Sequence, residues 1–259
     1  MNIIEGLLIG ALQGIFEWLP VSSEGQLMLA MINWIHLTPQ HALSIAIFAH
    51  IGTALAVLLK FRSDFFHILK NLDSHLSKII IVSTGSTAIT AIPLLIFLKS
   101  KFSGGESATF LIGFLLIFTG LLLKISPREG IKDIQNITTR DMVTVGLAQG
   151  FAILPGISRS GTTLSVLLLS NIRQETALFI SFLMSVPVVL GAVVLDLPAV
   201  SAIPAQDIFV ITITSLVFGY VTMDMLLRFA KKVNFSMFCI LLGTLTLILS
   251  AVPAVITLI

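Results

Sequence analysis

Charge is scarce in this sequence. Of its 259 residues only 11% are Asp, Glu, Lys or Arg, while 56% are hydrophobic and the mean hydropathy is +1.05. That leaves too little polar surface to cover a soluble fold of this length, so a water-soluble domain is excluded and an integral membrane protein is implied. Cysteine is scarcer still. Cys239 stands alone inside an apolar run, so no internal disulfide forms, and it reads as a small core or lipid-facing side chain. Met1 to Glu5 holds no basic residue, and the first apolar run leads into a polar stretch rather than a small-residue cleavage site, which argues against a removable signal peptide. A net charge of +2 carries no nucleic-acid signal, because Lys and Arg in a membrane chain mark the cytoplasmic loops.

Six apolar runs, near 43–61, 77–99, 106–125, 176–198, 207–229 and 235–257, are long enough to cross a hydrocarbon layer, which takes about 20 helical residues. Two further regions, 3–34 and 141–171, each hold two short apolar halves around a Pro/Ser/Gly-rich centre. Backbone that leaves its helix cannot face lipid, so each broken region is expected to be a re-entrant helical hairpin buried in protein or lining a wet cavity. The two centres match one another. Gln13-Gly14 through Leu19-Pro20 to Ser22 and Gly25 parallels Gln149-Gly150 through Leu154-Pro155 to Ser158 and Gly161.

The expected architecture is therefore all-α: one membrane domain over 1–259, made of repeat one (1–125, hairpin 3–34 plus three spans) and repeat two (141–259, hairpin 141–171 plus three spans). Three spans is an odd number, so the second copy is inverted. With hairpins that return to their own side, twelve of the fifteen basic residues fall on one face and Lys99 and Lys101 on the other, with Arg159 inside the second hairpin. The positive-inside rule then places both termini outside the cytoplasm. Inverted repeats of this kind bring broken tips together near the midplane, where half-helix N-termini face an anion. Ser22 and Ser23 would open one half-helix, Ser158 and Ser160 the other.

Arg159 at such a break is expensive without a charged partner. Two readings stand: bidentate phosphate recognition, or a structural ion pair with Glu17 or Glu24. The two glutamates flank Pro20 and either converge or point apart; convergent, they suit Mg²⁺ or Ca²⁺. Glu24 alone also serves a helix N-terminus. His50 is the only histidine in the middle of a spanning run, as a packing residue or a proton-transfer group. His36, His41, His67 and His75 are expected in loops, Asp224 pairs with Arg228 four residues on, and Gly52 and Gly191 suit close helix packing.

The segments LQGIFEWLPVSSEGQ and LAQGFAILPGISRSGTT resemble the two signature segments of the undecaprenyl-diphosphate phosphatase family, the membrane enzymes associated with bacitracin resistance. The likeness continues through AHIGTALAVLLKFR and FISFLMSVPVVLGA. It implies hydrolysis of a polyprenyl diphosphate to the monophosphate with a divalent cation, recycling a lipid carrier at the plasma membrane. Carried across by position, it assigns catalytic roles to Glu17, Ser23, His50 and Arg159. Substrate contacts fall to Ser22, Ser158, Arg159, Ser160, Thr162 and Thr163; the metal is expected on Glu17 with Glu24, the pair of carboxylates across the Pro20 break, a ligand set read from that pairing and not supplied by the resemblance. The family's first glutamate is Gln13 here, its Thr or Ser before the glycine is Glu24, and its signature histidine is Gln26. Gln13 and Gln26 then remain as substrate contacts, since a glutamine is no general acid or base.

This combination resembles an archaeal branch, for which a dolichol-type lipid is the alternative to undecaprenol. In it, Glu24 would replace the missing carboxylate and His50 the missing imidazole. The attacking group is Ser23 or a water. A rival function is a polyprenyl-phosphate flippase that keeps the site without hydrolysis. A homodimer is a candidate assembly.

Overall fold

The computed structural model describes residues 1–101, 105–127, 130–230 and 234–256. Among these described residues twelve α-helices follow one another: α1 Ile3–Phe16, α2 Ser23–Asn33, α3 Pro39–Lys60, α4 Arg62–Lys70, α5 His75–Lys101, α6 Gly105–Ile125, α7 Thr139–Gly150, α8 Arg159–Leu169, α9 Gln174–Leu195, α10 Leu197–Val200, α11 Ala205–Ala230 and α12 Phe235–Ile256. Among the described residues there is no strand, only an isolated bridge between Lys132 and Ile172.

Local sequence explains several starts. Asn2 with Glu5 and Thr138 with Asp141 form reciprocal capping boxes before α1 and α7. Thr38 caps α3 and Pro39 occupies its first turn, where a missing N–H leaves nothing unpaired. The interior prolines Pro93 and Pro187 sit within α5 and α9, which fits helices that neighbours and lipid hold together.

Among the described residues five helices are long and apolar enough to cross a membrane: Pro39–Lys60, His75–Ser100, Gly105–Ile125, Gln174–Leu195 and Ala205–Met225. They coincide with the first five expected runs. The sixth, 235–257, forms the helix α12, which is apolar over Phe235–Ser250, where its side chains are described; residue 257 lies outside the described residues.

Each of the two broken regions holds two helices with a break between them. α1 and α2 are separated at Glu17–Ser22, and α7 and α8 at Phe151–Ser158. Their packing also corresponds. α1 lies along α11 and α7 along α5, while α6 lies along α12. A Cβ on Gly14 would stand 3.0 Å from the Ser215 carbonyl, and one on Gly150 2.7 Å from that of Thr87, so only glycine lets each helix pair approach so closely.

Two expectations, the loop placement of His41, His67 and His75 and the packing of Gly191, are corrected, and a third, the pairing of Asp224 with Arg228, falls on a side chain outside the described residues. Asp224 meets Lys60 Nζ at 2.5 Å across α3 and α11, because the two helices bring their ends together; the side chain of Arg228 lies outside the described residues. His41 and His67 lie in α3 and α4 and His75 opens α5 rather than a loop. Gly52 is pressed against α11, where a Cβ would fall 2.5 Å from the Thr212 carbonyl, but a Cβ on Gly191 would meet nothing within 4 Å. Gly191 faces a cavity instead.

Candidate active site

The two breaks meet. Ser22 and Ser158 are the N-caps of α2 and α8, each hydroxyl accepting from the amide three residues on, Gly25 at 3.3 Å and Gly161 at 3.1 Å. The Ser22 hydroxyl also accepts from the Gly156 amide at 3.0 Å, which ties one tip to the other. Gly156 has φ +106, a left-handed backbone, and a Cβ there would lie 2.6 Å from the Ile112 carbonyl of α6. Thr119 of α6 secures the same turn: its hydroxyl donates to the Gly156 carbonyl at 2.9 Å and accepts from the Ser158 amide at 3.2 Å. Ser22 itself has φ 57, left-handed and strained for a residue with a side chain, and its two accepted bonds stabilise that geometry.

Glu17 stands at the centre and its side chain is 4% exposed. Oε1 meets Arg159 Nη2 in a close ion pair, and Arg159 Nη1 donates to the Ser181 carbonyl at 3.2 Å, so the guanidinium is oriented from two sides. Oε2 accepts from Gln13 Nε2 at 2.9 Å and from the Ser23 hydroxyl at 2.6 Å, and lies 3.2 Å from His50 Nε2. His50 is itself fixed by a 2.7 Å bond between Nδ1 and the Ala46 carbonyl, leaving Nε2 toward Glu17 and 3.5 Å from the Ser23 hydroxyl. A carboxylate thus links an arginine, a histidine and a hydroxyl that opens a half-helix, where backbone dipoles favour an anion.

The alternatives left by the sequence narrow here. Arg159 pairs with Glu17, not Glu24. Glu17 and Glu24 converge on one hollow of about 20 Å³, room for one water, shared with Ser22, Ser23, Ser158 and Ser160. Glu24, His50 and Arg159 also line a second, larger cavity of about 360 Å³ that runs between α5 and α9 to Leu195. Oε1 of Glu24 is buried without a hydrogen-bond partner among the described residues.

Four residues expected to touch substrate, Gln13, Gln26, Thr162 and Thr163, line neither space; Gln13 is spent on Glu17. The Thr163 hydroxyl donates to the Arg159 carbonyl at 2.9 Å and meets Ser181 Oγ at 2.6 Å, holding the first turn of α8. Thr162 is buried beside it, and Gln26 donates to the Val21 carbonyl at 3.2 Å, closing the turn before α2. Conversely, the sequence offered no sign of Thr119, of the Ser181 carbonyl, or of Trp18, whose indole donates to the Gly219 carbonyl at 3.0 Å. Cys239 reaches the Pro20 carbonyl at 3.2 Å, so it braces the first tip. Each is a contact between distant segments, and no local motif announces such contacts.

Among the described residues no group of three or more His, Cys, Asp and Glu side chains is arranged to hold a metal ion.

The family model described as bacitracin resistance protein BacA matches residues 6–248. A protein of Methanothrix thermoacetophila named undecaprenyl-diphosphatase is 52% identical, over 98% of this chain and 100% of its own length. Proteins of the same name from Methanopyrus kandleri and Carboxydothermus hydrogenoformans are 39% and 34% identical, over 93% and 97% of this chain and 94% and 98% of their own lengths.

Proposed function

The chain belongs to the bacitracin resistance protein BacA family, and from that membership we propose that it hydrolyses an undecaprenyl-type diphosphate to the monophosphate and inorganic phosphate, returning a lipid carrier to use. The observation that carries the reading to particular residues is the Glu17 carboxylate, held between Arg159 on one oxygen and Ser23 with His50 on the other.

The terminal phosphoryl group is bound where the two tips meet. Arg159 and the first-turn amides of α2 and α8 hold its oxygens and offset the charge that spreads over them in the transition state. The Ser23 oxygen attacks the terminal phosphorus as its proton passes to Glu17 Oε2 or to His50. The bond from phosphorus to the bridging oxygen breaks, and the prenyl monophosphate leaves. Water then attacks the phosphoserine and frees inorganic phosphate and the serine hydroxyl. In the alternative, water takes the place of Ser23 and the reaction is a single displacement. Glu17 must part from Arg159 as phosphate arrives, since the hollow between them has room for only one water.

The larger cavity receives the prenyl chain. It reaches Ile92 and Val194, both on the outer surface, so the chain leaves between α5 and α9 into lipid. For a divalent cation, Mg²⁺ or Ca²⁺, Oε1 of Glu24, buried beside the hollow without a hydrogen-bond partner among the described residues, would be the oxygen donor open to it. Both oxygens of Glu17 are engaged, so its contribution there is charge rather than an open coordination position. A bound cation supplies polarisation of the phosphoryl oxygens.

In the membrane this reading has six crossings, two re-entrant hairpins and an inverted repeat (1–125 and 141–259), with both termini extracytoplasmic. The matching glycine contacts of α1 with α11 and α7 with α5 support the repeat, and the basic-residue asymmetry supports the orientation.

Phosphate release from farnesyl and longer prenyl diphosphates by the purified protein, with and without divalent cation, tests the reading. Turnover that Arg159→Ala abolishes is expected. Movement of labelled polyprenyl phosphate across liposomes without phosphate release would instead favour the flippase.

A further inference from the structure

Two cross-helix ion pairs lie far from the tips, and they differ in kind. Lys60 and Asp224 bridge α3 and α11 with side chains 31% and 60% exposed, in the manner of a surface pair of small energetic consequence. Lys99 and Asp196 bridge the ends of α5 and α9, and there Asp196 is 0% exposed. Neither carboxylate oxygen of Asp196 has a hydrogen-bond donor among the described residues; the Lys99 ammonium touches Oδ1 off the angle of a hydrogen bond. A carboxylate buried with a single cation is poor evidence for stability, because desolvation offsets most of the attraction.

Its position gives it another use. The 360 Å³ cavity that begins at Arg159 and Glu24 ends at Leu95 and Leu195, one helical turn before Lys99 and one residue before Asp196. Along α9 the distance from Ser185, beside the site, to Asp196 is about 16 Å at 1.5 Å per residue. The cavity walls between are largely alanine, valine, leucine and isoleucine, and they offer a diphosphate or a phosphate no counter-charge. Lys99 has three N–H donors. One direction faces Asp196, a second donates to the Leu195 carbonyl at 3.4 Å, and the side chain stays 37% exposed, so a donor is left for a ligand without breaking the pair.

We propose that Lys99, positioned by Asp196, is a second phosphate-binding group at the outer mouth of the cavity, where it receives the diphosphate headgroup on its way to Arg159 and inorganic phosphate on its way out. The proposal rests on the phosphatase reading, and adds that the cavity which takes the prenyl chain also admits the headgroup ahead of it. Asp196 acts through Lys99, holding the ammonium over the mouth.

The test uses the full chain in detergent, with farnesyl diphosphate as substrate and inorganic phosphate as product inhibitor. Removing both charges in K99Q/D196N leaves no orphaned buried carboxylate. It is expected to raise KM and the inhibition constant for phosphate about tenfold each, the factor that corresponds to about 1.4 kcal/mol for one charge-assisted contact. kcat stays within about twofold, since the chemistry lies elsewhere, and Lys99→Arg retains both constants within about threefold by the same estimate. A change in KM alone assigns Lys99 to the lipid headgroup, and a change in the inhibition constant alone to free phosphate. A folded double variant with both constants unmoved overturns the proposal. Amine acylation of the wild-type protein, followed by mass spectrometry, covers the case of a variant that does not fold. Phosphate is expected to shield Lys99 and not Lys60, and equal labelling of Lys99 with and without phosphate overturns the proposal independently. A wild-type protein that releases no phosphate from any prenyl diphosphate sinks the phosphatase reading instead, whatever Lys99 does.

Discussion

Glu17→Gln is the substitution on which the site's energetics turn. It preserves shape and replaces one carboxylate oxygen with an amide, so Arg159, 15% exposed, is left as a buried cation without its partner. Breaking a buried ion pair from one side costs about 3–5 kcal/mol, because the orphaned charge keeps its desolvation penalty. Arg159→Met removes the same pair from the other side and leaves Glu17 Oε1 without its cation, although Oε2 keeps Gln13, Ser23 and His50, so its loss is expected at the lower end of that range. The double variant E17Q/R159M orphans nothing, so its loss of stability is expected to fall short of the sum of the singles by about 2–3 kcal/mol. Trp18 is a built-in reporter. It is one of two tryptophans, adjoins Glu17, donates to the Gly219 carbonyl and packs edge-on against Phe182 at 5.4 Å between ring centroids. Denaturant unfolding in detergent followed by its fluorescence gives the four free energies of the cycle. Phosphate release is expected to fall by at least about 10²-fold in all three variants, since proton transfer at Ser23 and charge at Arg159 are lost separately. Strictly additive stability losses, or a double variant with wild-type turnover, would refute the reasoning.

Other expectations follow from the same geometry. His50→Ala, which removes the ring facing both Glu17 Oε2 and Ser23, lowers kcat by about 10²–10⁴-fold with the fold intact by circular dichroism; unchanged turnover would return His50 to a packing role. Glu24→Gln raises the cation concentration needed for half-maximal phosphate release, because the free buried oxygen becomes an amide, and identical cation titrations would remove Glu24 from the metal. Gly156→Ala forces a side chain into a left-handed turn against the Ile112 carbonyl and destabilises by more than about 1 kcal/mol, visible as an earlier unfolding midpoint with loss of activity. Gly191→Leu projects into the larger cavity. It is expected to raise KM for long prenyl chains more than for farnesyl diphosphate, and equal effects on both would detach that cavity from the chain.

Where the two helices break was legible in the sequence. Pro20 and Pro155, with the serines that follow them, mark where helix gives way, because proline removes a donor and serine satisfies the amides of a new first turn. The repeated Gln-Gly and Ser-x-x-Gly spacing announced that the two breaks are alike. The roles within the site were less legible. Ser22 has the sequence position of a phosphate contact, yet its hydroxyl takes two backbone amides, one from each tip. Thr163 has the position of another, yet it holds the Arg159 carbonyl. Hydroxyls can cap a helix or bind a ligand with the same atoms, and only their neighbours decide between the two.

By itself the sequence determined a membrane class, an all-helical chain and the points at which two helices break, since hydropathy, proline and N-capping act within a few residues of one another. Only the tertiary structure decided that Glu17 pairs with Arg159, 142 positions away, that α3 closes on α11 at Gly52, and that a cavity opens between α5 and α9. Those outcomes depend on how helix surfaces fit across the bundle, a property of packed shape that no local pattern of residues encodes.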